Sequence, residues 1–190
     1  MPQETTLTTL ETLIRYILND SEKPMSPGDI FVYENSATFT LTEPNVNSII
    51  EVLKNDVALT SGQYSYDSVT NKLTVSASMT SGDIIEIQYK YYPNYSSSEI
   101  AGYIHSALVH LSCNNFYTWE VVSGTLYPDP EPNERNLIAL VAATLIYPDN
   151  KSYSLPDIRI NVPADLPLHL KIQKIIGIAK RNSHGAFELL

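Results

Sequence analysis

The sequence predicts an α+β protein, in which a helical bundle core of about four helices carries an inserted antiparallel β-sandwich or small barrel module. Apolar residues recur at the helical period of 3.6 before residue 19 and again after residue 96. Between residues 29 and 93 the period changes to 2, which is typical of half-buried strands. We therefore expect residues 1–28 and 94–190 to form a helical assembly domain and residues 29–93 to form the β module.

The first predicted helix covers residues 7–18, where leucines and isoleucines fall on one helical face. Thr8 and Glu11 have the spacing of a capping box, in which each side chain bonds the backbone amide of the other residue. Asn19 and Pro24 end this helix, so residues 19–28 are expected to form a polar linker.

The β module is predicted to contain six or seven short strands. Phe39 alternates with threonines, as in a strand with one buried face. Asn55 and Asp56 predict a tight hairpin turn, because both residue types tolerate positive φ. The last strand, residues 84–92, alternates apolar and polar side chains until Pro93 ends it.

Three further helices are predicted after the module. They cover residues 97–113, 134–146 and 165–181. The middle one is apolar on all sides, so it is expected to be central and buried. The segments between these helices, 114–133 and 148–163, are expected to be irregular except for one short strand at residues 158–162.

Composition and charge exclude several classes of protein. The hydrophobic fraction is 43%, which is enough to bury a core, so the chain is not disordered by composition. The net charge is −9, and residues 29–93 contribute −5 of it, from eight carboxylates and three lysines. Because phosphate repels carboxylate, this balance argues against sequence-independent nucleic-acid binding by the β module.

The only cysteine, Cys113, excludes an intramolecular disulfide, which fits folding in a reducing cytoplasm. The first residues lack the basic and apolar regions of a signal peptide. The longest apolar stretch, residues 137–147, is far shorter than the roughly 20 residues that span a bilayer. Neither secretion nor membrane insertion is therefore expected.

Histidine and cysteine spacing argues against a metal site or a catalytic thiol. His105 and His110 are five residues apart, which places them poorly for one helix face. Cys113 follows at the end of an apolar helical stripe without a basic residue nearby, so we expect it to pack in the core with the two histidines at its edge. His169 and His184 are isolated.

The acidic residues are expected to be structural or solvated. A paired-carboxylate site would have to use Asp67, Asp83 or Glu86, which stand at turn and strand positions where acids normally face water. A second group lacks the glycine and the twelve-residue pattern of an EF-hand: Asp129, Glu131 and Glu134. With no Gly-rich phosphate loop or nucleophile elbow either, we predict no catalytic residue, no metal and no cofactor.

The last predicted helix is basic. It carries Lys171, Lys174, Lys180 and Arg181, with no acid between His169 and Asn182. Cations near a helix C-terminus are favoured by the helix dipole, which is one explanation. The other is docking, since a basic helix followed by the apolar tail residues Ala186, Phe187, Leu189 and Leu190 could engage an acidic partner.

Residues 49–92 carry a pattern that resembles β modules of tailed-phage virion proteins. The pattern is a hairpin turn, a Tyr-Xaa-Tyr strand, a short strand, and then Gly-Asp before a strand that reaches a tyrosine. Here these are Asn55-Asp56, Gly62-Gln63-Tyr64-Ser65-Tyr66, Leu73-Thr74-Val75, and Gly82-Asp83 through Tyr89. The surrounding plan, a helix, a β insertion, three helices and a short tail, is similar to the head-to-tail adaptor (connector, head-completion or neck) proteins of tailed phages.

This resemblance implies a structural virion protein without enzymatic activity, which forms a ring of about twelve copies and joins the portal to the tail. It implies docking of the C-terminal tail on the portal, contacts with tail or other neck proteins, and passage of DNA through the ring without sequence-specific recognition. It also implies location in the virion neck after assembly in the host cytoplasm. The β insertion, which small all-helical adaptors lack, leaves tail-completion and other neck proteins open.

Two other functions are weighed against this one. The β module could be a carbohydrate- or protein-binding part of a tail or baseplate protein, with Tyr91, Tyr92 and Tyr95 stacking on sugars. A hydrolase would have to use Cys113 or scattered acids, and the sequence favours it least.

Overall fold

The computed structural model describes residues 4–114, 116–149, 152–155, 158–161 and 165–184. The chain forms two compact units. The terminal unit consists of Met1–Asn19 and Ser97–Leu190, and the central unit consists of Asp20–Ser96. The central unit starts earlier than residue 29 because the predicted linker contains a strand that pairs with the last strand of the module.

The central unit contains eight strands. They are β1 (Lys23–Pro24), β2 (Asp29–Val32), β3 (Thr38–Thr40), β4 (Val46–Lys54), β5 (Val57–Ala58), β6 (Tyr64–Asp67), β7 (Lys72–Val75) and β8 (Ile84–Tyr91). β8 is the centre of a five-stranded antiparallel sheet, in which it pairs with β4 along one edge and with β1 and β2 along the other. β5 extends this sheet beyond β4, and β3, β7 and β6 form a separate three-stranded antiparallel sheet.

The two sheets of the central unit share one hydrophobic core. Phe39 and Leu73 from the smaller sheet cluster with Val52, Ile85 and Ile87 from the larger one. The period of 2 in β8 explains this placement, because alternate side chains of a strand point to opposite faces. The hairpin turn predicted between β4 and β5 forms, with positive φ at both of its residues.

One buried polar pair lies beside this core. The hydroxyl of Tyr89, whose side chain is fully buried, donates a hydrogen bond of 2.9 Å to Oδ2 of Asp29. The same carboxylate oxygen accepts from the amide of Thr42 at 2.7 Å, and the Tyr89 hydroxyl accepts from the amide of Glu43 at 3.1 Å. These bonds fasten the segment after β3 to the five-stranded sheet and satisfy the buried polar groups.

The terminal unit contains four helices in its described residues. They are α1 (Leu7–Leu18), α2 (Ser97–Ser112), α3 (Pro132–Ile146) and α4 (Leu168–His184). α3 contacts the other three helices, and residues 137–144 are buried, as expected for a helix that is apolar on all sides.

The start of α1 differs from the prediction. Thr6, not Thr8, is the N-cap residue, since its hydroxyl accepts a hydrogen bond of 3.2 Å from the amide of Thr9. Glu11 forms no capping box and instead lies 2.7 Å from Arg15 in an ion pair one turn along the helix. The helix ends at Asn19, whose φ of 55° is left-handed.

The predicted fold class, with a helical bundle core, is wrong, because strands outnumber helices in the described residues. The described residues hold twelve strands in four antiparallel sheets, against four helices. Two of these sheets are hairpins of the terminal unit, and their strands are β9 (Glu120–Val122), β10 (Thr125–Tyr127), β11 (Ser152–Leu155) and β12 (Ile158–Asn161). β12 confirms the short strand predicted at residues 158–162, whereas the other three lie where irregular chain was expected. The three strands that were missed have only three or four residues each, which is too short for a clear alternating pattern.

Candidate interaction surface

The residues considered for metal or thiol chemistry do not form a site in the described chain. Within these residues, no group of three or more His, Cys, Asp or Glu side chains is placed to hold a metal ion. His105 and His110 are exposed on α2. Cys113 is also exposed, so its expected core position is wrong: α2 ends at Ser112, and the next residue leaves the apolar stripe.

Two surface clefts border the helices of the terminal unit. One, of about 260 Å³, is lined by His105, Cys113 and Trp119 among others. The described residues show no hydrogen bond between the Cys113 thiol and His105, so the cleft does not contain an activated Cys–His pair. The other cleft, of about 540 Å³, lies between the starts of α1 and α3 and is lined mainly by threonines, with Arg135 and Asn136.

The acids considered for a paired-carboxylate site have structural partners in the central unit. Asp83 accepts hydrogen bonds from the Lys54 ammonium, the Thr80 amide and the Asn55 side chain. The bond from Lys54, followed by the one from Thr80, lowers the pKa of Asp83 to about 2. An acid with so low a pKa is poorly suited to proton transfer near neutral pH.

Asp67 closes a different turn, at the end of β6 in the three-stranded sheet. Its carboxylate accepts a hydrogen bond of 2.7 Å from the Thr70 hydroxyl and one of 2.9 Å from the Val69 amide. These bonds lower the pKa of Asp67, that of Thr70 most strongly. Asp129 also has a structural role, since the backbone amide of Thr5 donates to its carboxylate at 2.9 Å.

The predicted docking cations of α4 have different environments. Lys171 is only 2% exposed, and its ammonium donates to the backbone carbonyl of Pro148, so it is not available to a partner at the surface. Lys174 is exposed on the same helix. The side chains of Lys180 and Arg181 lie outside the described part, as do Ala186, Phe187, Leu189 and Leu190 entirely.

α4 has one buried face and one exposed face. Ile172, Ile175 and Ile176 are buried, and α4 packs against α3. Leu168 and Leu170 remain 37% and 39% exposed at the start of the helix. Its exposed side therefore combines apolar side chains with the cation of Lys174.

The outer face of the five-stranded sheet is apolar at the end where β8 begins. We call this surface the apolar sheet face and define it by Ile30 and Val32 of β2, Leu53 of β4 and Ile84 of β8. Ile30, Val32 and Ile84 are 62%, 59% and 50% exposed. The strand register places Val32 opposite Ile84, and it places Ile30 and Leu53 on either side of Glu86. These side chains are therefore neighbours, not isolated apolar residues.

Two carboxylates share the face with these residues. Glu86 lies between Ile30 and Leu53, and Glu51 lies opposite Gln88. The Gln88 amide donates to Glu86 at 2.9 Å, but in the described part of the chain neither carboxylate forms an ion pair. Lys90 is a cation on the same face of β8, but it lies 3.1 Å from Glu22, so Glu51 and Glu86 have no paired cation in the described residues.

The three-stranded sheet has a different outer face. Its outward positions carry small hydroxyl side chains, and those of Thr38 and Thr74 lie 3.0 Å apart across β3 and β7. Thr40 and Ser65 continue this polar surface. Of the two sheets of the central unit, it is therefore the five-stranded one that leaves an apolar surface for a partner to cover.

The tyrosines considered for sugar stacking are only partly accessible. Tyr91, Tyr92 and Tyr95 are each half-buried. Tyr91 packs against the core of the central unit and meets the ring of Tyr89 edge-on, with ring centroids 6.3 Å apart. The ring of Tyr91 is therefore poorly placed for sugars to stack on.

The sequence matches no protein-family model and no curated protein. Among the described residues, no helix combines the length and the apolar character that crossing a membrane requires.

Proposed function

We propose that this protein is a structural virion protein, a ring-forming adaptor that joins the portal to the tail in a tailed phage. The observation that carries the proposal is the apolar sheet face. Three adjacent β-branched side chains are at least half exposed there, and contiguous apolar surface of this kind marks a site of protein contact.

A second feature supports a role in assembly. Tyrosine is enriched at protein interfaces, because it combines a large apolar ring with a polar tip. The chain has thirteen tyrosines. Several are largely exposed in the terminal unit, namely Tyr16, Tyr117, Tyr127 and Tyr147. The tailed-phage resemblance of residues 49–92 then directs the proposal to the virion, and the resemblance of the overall plan directs it to the neck.

On this proposal the chain contacts other copies of itself, the portal through its C-terminal tail, and further neck or tail proteins. Two of the acids that a hydrolase would need, Asp83 and Asp67, are bonded to other side chains at turns, and the Cys113 thiol forms no hydrogen bond with His105 in the described residues. The chain thus offers surfaces for contact and few groups for chemistry.

Oligomeric state tests the proposal. Mass photometry of the full chain over a wide concentration range, with electron microscopy of the largest species, is expected to show a closed ring of about twelve chains of 21.2 kDa. A protein that stays monomeric at every concentration, or that forms only an isologous dimer, would overturn it.

A further inference from the structure

We propose that the ring is closed by a heterologous contact, in which the apolar sheet face of one copy receives α4 of the next copy. This inference rests on the proposed ring and specifies which surfaces form it. The two surfaces are exposed in the single chain, and their charges are opposite: the sheet face carries carboxylates and α4 carries cations.

The sheet face determines the chemistry of its occupant. Ile30, Val32 and Ile84 favour an apolar partner, because water is released when these side chains are covered. Glu51 and Glu86 require cations from that partner, since a carboxylate that is desolvated without compensation costs free energy. The occupant must therefore be both apolar and basic.

α4 has this composition. Leu170 and Lys174 are one helical turn apart, so an apolar contact and a cation lie on the same exposed side. The sequence has no carboxylate from His169 to Asn182, and Lys180 and Arg181 add two further cations. The exposed leucines would meet the isoleucines and valine of the sheet, while Lys174 would approach the carboxylates.

Charge also decides between the two ways in which copies can associate. If two apolar sheet faces paired with each other, Glu51 and Glu86 of one copy would face the same carboxylates of the other. Like charges juxtaposed in an interface destabilise it. A contact between two different surfaces avoids this repulsion. Repeating such a contact from copy to copy generates a ring when the rotation between neighbouring copies adds up to a full turn.

A charge exchange in the full chain tests this contact. Glu51→Lys with Glu86→Lys places cations opposite α4, and Lys174→Glu places a carboxylate opposite the sheet face. Each variant alone is expected to weaken ring formation at least about tenfold, measured by mass photometry. The variant that combines all three changes is expected to recover most of the loss, because the opposite charges face each other again.

Glu43→Lys is the matched control, since Glu43 is half-buried like Glu51 and Glu86 but lies on the segment after β3, away from the sheet face. Thermal unfolding of each variant checks that the fold is kept. If the wild type and every charge variant form rings equally well, this contact is wrong while the proposed function stands. The same holds if the wild type forms rings but the combined variant does not recover ring formation. Rings that persist but no longer attach to particles would assign the sheet face to another neck protein. If the wild type forms no ring, the proposed function fails and this inference fails with it.

Discussion

The Lys54 ammonium lies 2.9 Å from the Asp83 carboxylate, across the gap between the β4–β5 turn and the start of β8. Asn55 reinforces this connection: its side chain donates to Asp83 at 2.8 Å and accepts from the amide of Ile84 at 2.8 Å. Lys54 also donates to the carbonyl of Ser78 at 2.6 Å. These bonds join two turns that are distant in sequence, so they stabilise the end of the sheet on which Ile84 is presented.

The first prediction concerns the pH dependence of this connection. The pKa of Asp83 is about 2 in the folded protein, below its ordinary value of 3.8. A carboxylate with a lowered folded-state pKa contributes stability that is present above about pH 4 and is lost as the pH falls toward 2. Asp83→Asn is therefore expected to lower the Tm at pH 7, and the difference from wild type should shrink between pH 4 and 2.

Calorimetric or circular-dichroism melts over this pH range measure that effect. Asp56→Asn is the control, because Asp56 is exposed at the neighbouring turn and makes no ion pair with Lys54. A Tm difference for Asp83→Asn that stays constant down to pH 2 would contradict the electrostatic explanation.

The second prediction concerns the buried pair of Tyr89 and Asp29. Tyr89→Phe removes the hydroxyl that donates to Asp29 and that accepts from the Glu43 amide. The loss of these bonds at a fully buried position is expected to reduce the free energy of unfolding by about 1–2 kcal/mol in urea denaturation.

Tyr91→Phe is the matched control for this change, two residues along the same strand. Tyr91 is half-buried and packs with its ring. The free energy of unfolding of Tyr91→Phe should therefore lie within about 0.5 kcal/mol of the wild-type value. Equal effects of the two substitutions would show that the buried hydroxyl is not what matters.

The inward side of the central unit was predictable from the sequence, whereas the composition of its outer face was not. In β8 the alternation correctly assigns Ile85 and Ile87 to the core and Glu86 to the outside. Which residues surround Glu86 depends on the pairing of β8 with β2 and β4, strands that lie far away in the sequence. Register is a tertiary property, so the apolar sheet face could not be recognised before the strands were paired.

Local signals were also missed in the terminal unit. Ser123 and Gly124 both have positive φ and form the two-residue turn of the β9–β10 hairpin. A Ser-Gly pair between two short β-prone runs is a recognisable hairpin signal. The true N-cap of α1 had weaker support, because Thr6 is positioned partly by its bridge to Thr125, a contact that no local pattern contains.

The third prediction separates structural cations from docking cations in α4. Lys171 is buried and donates to the Pro148 carbonyl, so Lys171→Ala should leave that carbonyl unsatisfied. We expect it to reduce the free energy of unfolding by about 1–3 kcal/mol. Lys174→Ala, at an exposed position of the same helix, should change it by less than about 0.5 kcal/mol.

The two variants should rank in the opposite order when ring formation is measured at a temperature where both are folded. Lys174→Ala is then expected to weaken assembly more than Lys171→Ala. A stability loss at Lys174 as large as that at Lys171 would mean that both cations serve the fold.

The last prediction concerns the C-terminal tail, for which the tailed-phage resemblance implies portal docking. Residues 182–190 contain Phe187, Leu189 and Leu190, three apolar side chains in a short segment after a basic helix. If these side chains bind a partner, deletion of residues 182–190 should abolish attachment to particles that lack the native protein. The same deletion should leave the Tm of the chain nearly unchanged.

A full-length variant with Phe187→Ser, Leu189→Ser and Leu190→Ser should reproduce the loss of attachment, because it removes the apolar contacts without shortening the chain. Glu188→Gln is the control in the same segment. A truncated protein that still attaches normally would exclude the tail as the docking element and would leave the exposed surfaces of the two units to make that contact.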